Sequence, residues 1–217
     1  MRIVLLDNQD SFVYNLVDAL HGIGNHEMAV YRNTVPADTV LGGGAGEKEP
    51  DLIVLSPGPG YPADAGCMME VIAKAQGRIP LLGICLGYQA LIEHFGGAVE
   101  PCGPVHGASI SMQLTPAGQD SPLFTGLTLG GTPGEPGIDV PVARYHSLGA
   151  TREPGGVRAL AWTETEIGSV IMAAETTDSM SIGLQFHPES ILSPSGPILL
   201  ERCVTTLLEE RTPNNGK

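Results

Sequence analysis

The sequence predicts an α/β fold: a mostly parallel sheet covered on both faces, with an antiparallel extension. Three observations carry that prediction. Through the first half, short β-branched apolar runs alternate with stretches whose apolar residues recur at helical spacing, the pattern of parallel strands linked by crossover helices. In the second half, strand-like segments follow one another with little helix between them, which suggests antiparallel neighbours. The chain then closes on one long amphipathic stretch.

Taken in order, Ile3–Leu6 reads as a buried strand. Asp10 or Ser11 is placed to cap the helix that follows, with Phe12, Val13, Leu16, Val17 and Leu20 on a broad apolar face. Met28–Tyr31 is a second strand, the glycine-rich Gly42–Glu49 a surface loop, and Leu52–Leu55 a third strand. A helix is predicted over Cys67–Ala75 and a strand over Pro80–Ile84. Another helix, Leu86–Phe95, is stopped by Gly96-Gly97. Ser109–Leu114, Val157–Trp162, Ser169–Ala173 and Ile182–Phe186 make up the predicted antiparallel extension. Leu129–Gly137 is too rich in glycine and proline for a regular element and reads as a loop. In Gly196–Glu210, the residues Leu200, Cys203, Val204, Leu207 and Leu208 follow i, i+3, i+4, i+7, i+8 spacing, a helix folded back on the core. No repeat or low-complexity tract interrupts the chain. The reading is one domain over residues 1–210, with 211–217 as a disordered tail.

Composition narrows the function. Of 217 residues, 42% are hydrophobic and 16% charged, ample for a core and wrong for a disordered chain. Eleven Lys+Arg against 24 Asp+Glu give a net charge of −13, which repels phosphate backbones and anionic lipid headgroups. Nucleic-acid and membrane-surface roles therefore fall away. The longest apolar runs are strand-sized, and the N-terminal run is cut short by Asp7, too short for the core of a signal peptide. Four cysteines with no CxxC pairing point to reduced thiols in a cytoplasm.

One of those cysteines is placed unusually. In Leu81-Leu82-Gly83-Ile84-Cys85-Leu86-Gly87 a buried strand runs into Gly-x-Cys-x-Gly and a helix begins at once. This is the shape of a nucleophile elbow with Cys in place of Ser. A nucleophile forced into so tight a turn needs neighbours without Cβ atoms, and the helix N-terminus favours thiolate. A small buried cysteine in a glycine-rich turn fits the same pattern.

A thiolate needs a base. Among six histidines, His94 falls late in the helix after Cys85, on a turn that points away, whereas His187 ends a predicted strand in Gln185-Phe186-His187-Pro188-Glu189. Pro188 keeps His187 extended, and Glu189 is placed to orient an imidazole and stabilise its cation. A solvated surface turn is the plainer alternative. Ser56-Pro57-Gly58-Pro59-Gly60 follows the third strand; its prolines carry no N–H, which leaves the amides of Gly58 and Gly60 to face a ligand. At the carboxyl ends of parallel strands this loop lies beside the elbow, and the N–H groups of Gly58 and Leu86 would suit an oxyanion hole.

Together, DNxDSFxYN (Asp7–Asn15), SPGPG, GICLG, RYHSL (Arg144–Leu148) and QFHPESIL (Gln185–Leu192) occur in order from Arg2 to about Glu210. The chain resembles the class I glutamine amidotransferase subunits of the anthranilate synthase and aminodeoxychorismate synthase type. The resemblance implies a flavodoxin-like three-layer sandwich and glutaminase chemistry. It makes Cys85, His187 and Glu189 the triad, and Gly58, Pro59, Gly60, Leu86, Gln89, Ser147 and Leu148 the glutamine contacts. RYHSL is implied to be a substrate-holding and partner-facing element. No cofactor or metal is implied for this chain: Mg²⁺ and chorismate are expected on a synthase partner, in a hetero-oligomer.

Between the two branches, Ala65–Met68 and Val142–Tyr145 resemble the anthranilate type of tryptophan biosynthesis, and Ala161–Glu164 the folate type; the reading takes anthranilate. The sequence departs from the family where Tyr88 replaces the usual histidine after GxCxG, and where His106-Gly107-Ala108 replaces HGK. Positive charge is also missing at Ala173–Thr177, and the Leu129–Gly137 stretch is longer than usual. These departures motivate a non-catalytic regulatory subunit as an alternative, alongside a stand-alone cysteine hydrolase.

Overall fold

A computed structural model of the chain describes residues 1–44, 48–105, 107–132 and 134–211, with only the backbone of 210 and 211. In chain order the elements are β1 (Arg2–Asp7), α1 (Val13–His21), β2 (Glu27–Arg32), α2 (Ala37–Val40), β3 (Leu52–Leu55) and α3 (Met68–Ala75). Next come β4 (Leu81–Ile84), α4 (Leu86–His94), β5 (Glu100–Pro101), β6 (Ala108–Leu114), α5 (Pro116–Asp120) and β7 (Leu129–Thr132). The chain ends with β8 (Glu135–Arg144), β9 (Leu148–Gly149), β10 (Val157–Thr165), β11 (Gly168–Thr176), β12 (Ser181–Leu184) and α6 (Gly196–Arg211).

Ten strands form one sheet in the order β2-β1-β3-β4-β12-β11-β10-β6-β8-β7, while β5 and β9 pair separately. The first five in that order run parallel, the doubly wound arrangement in which ligands bind beyond the strands' carboxyl ends. The remaining pairings are antiparallel.

The period-two alternation of the central strands divides the core. Ile3, Leu5, Leu52, Val54, Leu82 and Ile84 face one layer with α1 and α6. Val4, Leu6, Ile53, Leu55 and Leu81 face the other, against α2, α3 and α4. Strands buried on both faces have to be apolar at every position, which is why these read as unbroken runs. The three-layer α/β prediction holds.

Three local expectations are corrected. The segment read as Ile182–Phe186 is not in the antiparallel extension: β12 runs parallel to β4 and completes the parallel half. Two hairpin reversals, β10 to β11 to β12, bring the chain back in that direction, and a short buried strand carries no mark of its neighbours' direction. Leu129–Gly137 is not a loop but β7 and the start of β8, a hairpin with Gly130, Gly131 and Gly134 at positive φ; Pro133 within it lies outside the described residues. Neither Asp10 nor Ser11 is the helix cap. Phe12 precedes α1, and Asp10 Oδ1 instead accepts the Phe12 N–H at 2.7 Å.

Of the predicted loop Gly42–Glu49, residues 45–47 lie outside the described residues, as do His106 and, from the predicted tail 211–217, residues 212–217.

Candidate active site

The carboxyl ends of β3, β4 and β12, adjacent in the sheet, deliver Ser56, Cys85 and Gln185. Cys85 takes φ 50° and ψ −102°, a left-handed conformation costly for any side chain. The turn closes because its neighbours lack side chains. A Cβ on Gly83 would lie 2.7 Å from the Gly87 carbonyl, and one on Gly87 would run into the Leu55 carbonyl of β3. Helix α4 thus starts directly on the strand, with the sulfur at its N-terminus. Leu86, as first residue of α4, has an N–H that the helix itself cannot satisfy.

His187 is 3% exposed and Glu189 Oε1 lies 2.8 Å from its Nδ1, which leaves Nε2 to face Cys85. Its backbone is fixed from both sides: the N–H donates to Ala143 O at 3.2 Å and the carbonyl accepts from Ser193 Oγ at 2.7 Å. Burial alone would depress this imidazole, but hydrogen bonds to Cys85 and Glu189 and their charges outweigh it and raise the pKa to about 10. The ring is therefore held as the cation beside sulfur. Phe12 and Tyr145 flank it, with centroids 5.6 and 4.9 Å from the imidazole, and Tyr145 Oη lies 3.2 Å from Ser190 Oγ.

A cleft of about 280 Å³ opens over Cys85 and His187. Gly58, Pro59, Gly60, Gln89, Ser147 and Leu148 line it, so the structure gathers all but one of the predicted glutamine contacts around Cys85. Leu86 is the exception. Its side chain is buried in the core, and its relevance rests on its backbone N–H. Gly58 is pressed against that residue: a Cβ there would sit 2.8 Å from Leu86 Cδ2 and 2.7 Å from Asn8 O. Ser56 holds the loop's base, accepting the Asn8 N–H on Oγ at 2.8 Å and donating to Pro57 O at 2.7 Å.

The far wall is segment 145–148, the loop after β8 and the first residue of β9. Leu148 O accepts from Gln89 Nε2 at 3.0 Å and from His146 Nδ1 at 2.8 Å, while Ser147 O accepts the Cys102 N–H at 2.8 Å. Burial pushes His146 down to about 3; its bond to Leu148 O works the other way, and the charges of Arg144 and His187 add to the depression. It stays neutral. His94 packs on Phe95 and is not among the residues lining the cleft. Tyr88 also lies elsewhere, fully buried against Gly183 with its hydroxyl unpartnered. The cleft also holds Asp10, Phe12, Tyr145 and His146, to which sequence reasoning gave no catalytic part. Their signal was membership of the DNxDSF and RYHSL motifs.

An open α/β sheet that carries a cysteine elbow over a buried His–Glu pair has the arrangement of the class of acyl-transfer enzymes that use a thiol. The family model described as Glutamine amidotransferase class-I matches residues 4–207, and the chain belongs to that family. It is 59% identical over 210 residues to the anthranilate synthase component 2 of Corynebacterium glutamicum, covering 95% of this chain and 98% of that one. With a Pseudomonas aeruginosa protein named anthranilate synthase component 2, pyocyanine specific, it shares 46% over 209 residues, 94% of this chain and 93% of that one. Among solved structures, a glutamine amidotransferase of Thermotoga maritima shares the fold at TM-score 0.63 and 16% identity, covering 98% of both chains.

Proposed function

We propose that this chain is the glutaminase subunit of a chorismate-using synthase and hands ammonia to that partner for anthranilate formation. The observation that carries the reading is the meeting, in one cleft, of the Cys85 elbow with the buried His187–Glu189 pair. The Cys85 thiolate attacks the γ-carboxamide carbon of glutamine, and the N–H groups of Gly58 and Leu86 receive the developing oxyanion. The His187 cation gives its Nε2 proton to the leaving nitrogen. Ammonia departs and a glutamyl thioester remains. Neutral His187 then takes a proton from water, the hydroxide adds to the thioester, and collapse expels the thiolate with release of glutamate. Glu189 holds the imidazole and stabilises its charge. Gly60, Pro59, Gln89, Ser147 and Leu148 hold the amino-acid end of the substrate.

Relatives named as components of anthranilate synthase favour the anthranilate branch over aminodeoxychorismate. A docking partner is supported by exposed side chains near the cleft: Tyr14 in the first turn of α1, Tyr61 next to Gly60 and, 94% exposed just beyond Glu189, Ile191. In this reading Mg²⁺ and chorismate belong to the partner; among the described residues no group of three or more His, Cys, Asp or Glu is placed to hold a metal ion. A cytoplasmic setting is supported by four unpaired cysteines, and no helix among the described residues is long and apolar enough to cross a membrane.

The test reconstitutes the chain with a chorismate-using synthase and follows product from glutamine or from ammonia. Cys85→Ser is expected to lower glutamine-dependent synthesis by roughly a thousandfold or more while ammonia-dependent synthesis continues. Retained glutamine use would overturn the reading, and aminodeoxychorismate as product would move it to the folate branch.

A further inference from the structure

Gln185 is a fully buried side chain that the triad does not use. It stands just past β12, its N–H donating to Met172 O of β11 at 2.9 Å. Its Nε2 lies 3.8 Å from Cys85 Sγ, within reach of an N–H···S hydrogen bond. Its Oε1 accepts from Gln89 Nε2 at 3.2 Å, and the same Gln89 nitrogen donates to Leu148 O at 3.0 Å. Gln89 thus uses its two N–H bonds on two oxygens. That fixes how the Gln185 carboxamide is turned, because the opposite orientation would set one NH₂ against another. Oxygen faces Gln89; NH₂ faces sulfur. A carboxamide so deeply buried is costly unless its bonds matter, and an apolar side chain would fill the same space.

We propose that Gln185 is a positioning residue for the glutaminase reaction, holding the Cys85 sulfur and favouring its negative charge, while its carbonyl ties that hold, through Gln89, to the loop that lines the substrate cleft. The proposal rests on Cys85 being the nucleophile. A donor aimed at sulfur favours thiolate both before attack and as the leaving group when the thioester hydrolyses. Each amide in the chain from Leu148 O to Gln89 to Gln185 polarises the next, so substrate seated against Leu148 acts on the sulfur.

Two variants of near-native size test this, Gln185→Met and Gln185→Glu, in complex with the synthase. The readouts are glutamine turnover and the rate at which iodoacetamide alkylates Cys85, resolved from the other cysteines by peptide mass spectrometry. Losing a hydrogen bond to a charged group is expected to lower kcat and the alkylation rate of the Met variant about 10- to 100-fold, with KM for glutamine within about threefold. The Glu variant keeps the acceptor for Gln89, and so its fold, but sets a carboxylate against sulfur. Its deficit relative to wild type is expected to shrink as pH falls from about 8 to about 5, where the protonated carboxyl donates again. Wild-type alkylation and kcat in either folded variant, or a loss confined to KM, overturns the proposal. Cys85→Ser run alongside separates the cases. If it stays active with glutamine, the nucleophile assignment falls and this inference with it. If it is inactive while the Gln185 variants match wild type, only this inference falls.

Discussion

The two halves of the sheet hold the site by different means. In the parallel half, β1, β3, β4 and β12 are buried on both faces, and the groups proposed to react stand where those strands end. Backbones there are packed so closely that Gly58, Gly83 and Gly87 leave no space for a Cβ. In the antiparallel half, β6 alternates between core and solvent, and what reaches the cleft is segment 145–148 between β8 and the start of β9. That segment is held by hydrogen bonds to two carbonyls, from Cys102, Gln89 and His146. In the proposed mechanism, packing fixes the chemistry and hydrogen bonds fix the recognition. The first tolerates almost no displacement, while the second yields bond by bond.

The sharpest way to break this division is Gly58→Ala. The added methyl meets Asn8 and Leu86, so the loop has to shift and its N–H leaves the place proposed for the oxyanion. The expected result is a fall in kcat of about 10²- to 10³-fold, the cost of one lost donor. Steady-state glutaminase kinetics in the complex decide it; a loss seen only in KM would mean that the parallel half also does the recognising.

A smaller effect is expected across the cleft. His146→Leu removes one of the two donors to Leu148 O, and KM for glutamine is expected to rise about tenfold with kcat little changed. A kcat loss as large as that of Gly58→Ala would erase the contrast between the halves.

A third effect is on stability against pH rather than on rate. His146 is held near 3 in the fold, whereas an unfolded chain protonates it below about 6.5. As pH falls through that window the unfolded state binds a proton that the native state refuses, so stability drops, by up to about 1.4 kcal/mol per pH unit. His146→Asn lacks this ionisation. Urea unfolding at about pH 7 and about pH 4.5 is expected to show a shallower loss for the variant than for wild type; equal losses would show that His146 is not neutral in the fold.

What the sequence made legible divides along the same line. The elbow, SPGPG and His-Pro-Glu could be read because each signal is local: an apolar strand, a turn residue, a helix start. The direction of β12 could not, since it depends on how many hairpins precede it. β8 was hidden because Pro136, Gly137 and Pro141 dilute its alternation, and its pairing with β6 is a tertiary fact. Phe12 carries the spacing of a helix face, yet α1 starts one residue later and the ring turns to His187. Gln185 follows a buried strand, where a polar side chain has meaning only once Cys85 and Gln89 are beside it.

The backbone at Cys85 has a consequence over evolutionary time. At φ 50° any side chain carries strain of about 1–3 kcal/mol, and glycine would relieve most of it. Drift in a lineage that kept the fold but abandoned the reaction is therefore biased toward glycine at this turn. Lineages that keep the reaction are expected to hold cysteine at this turn against that bias, which sequences of relatives with and without glutaminase activity would test.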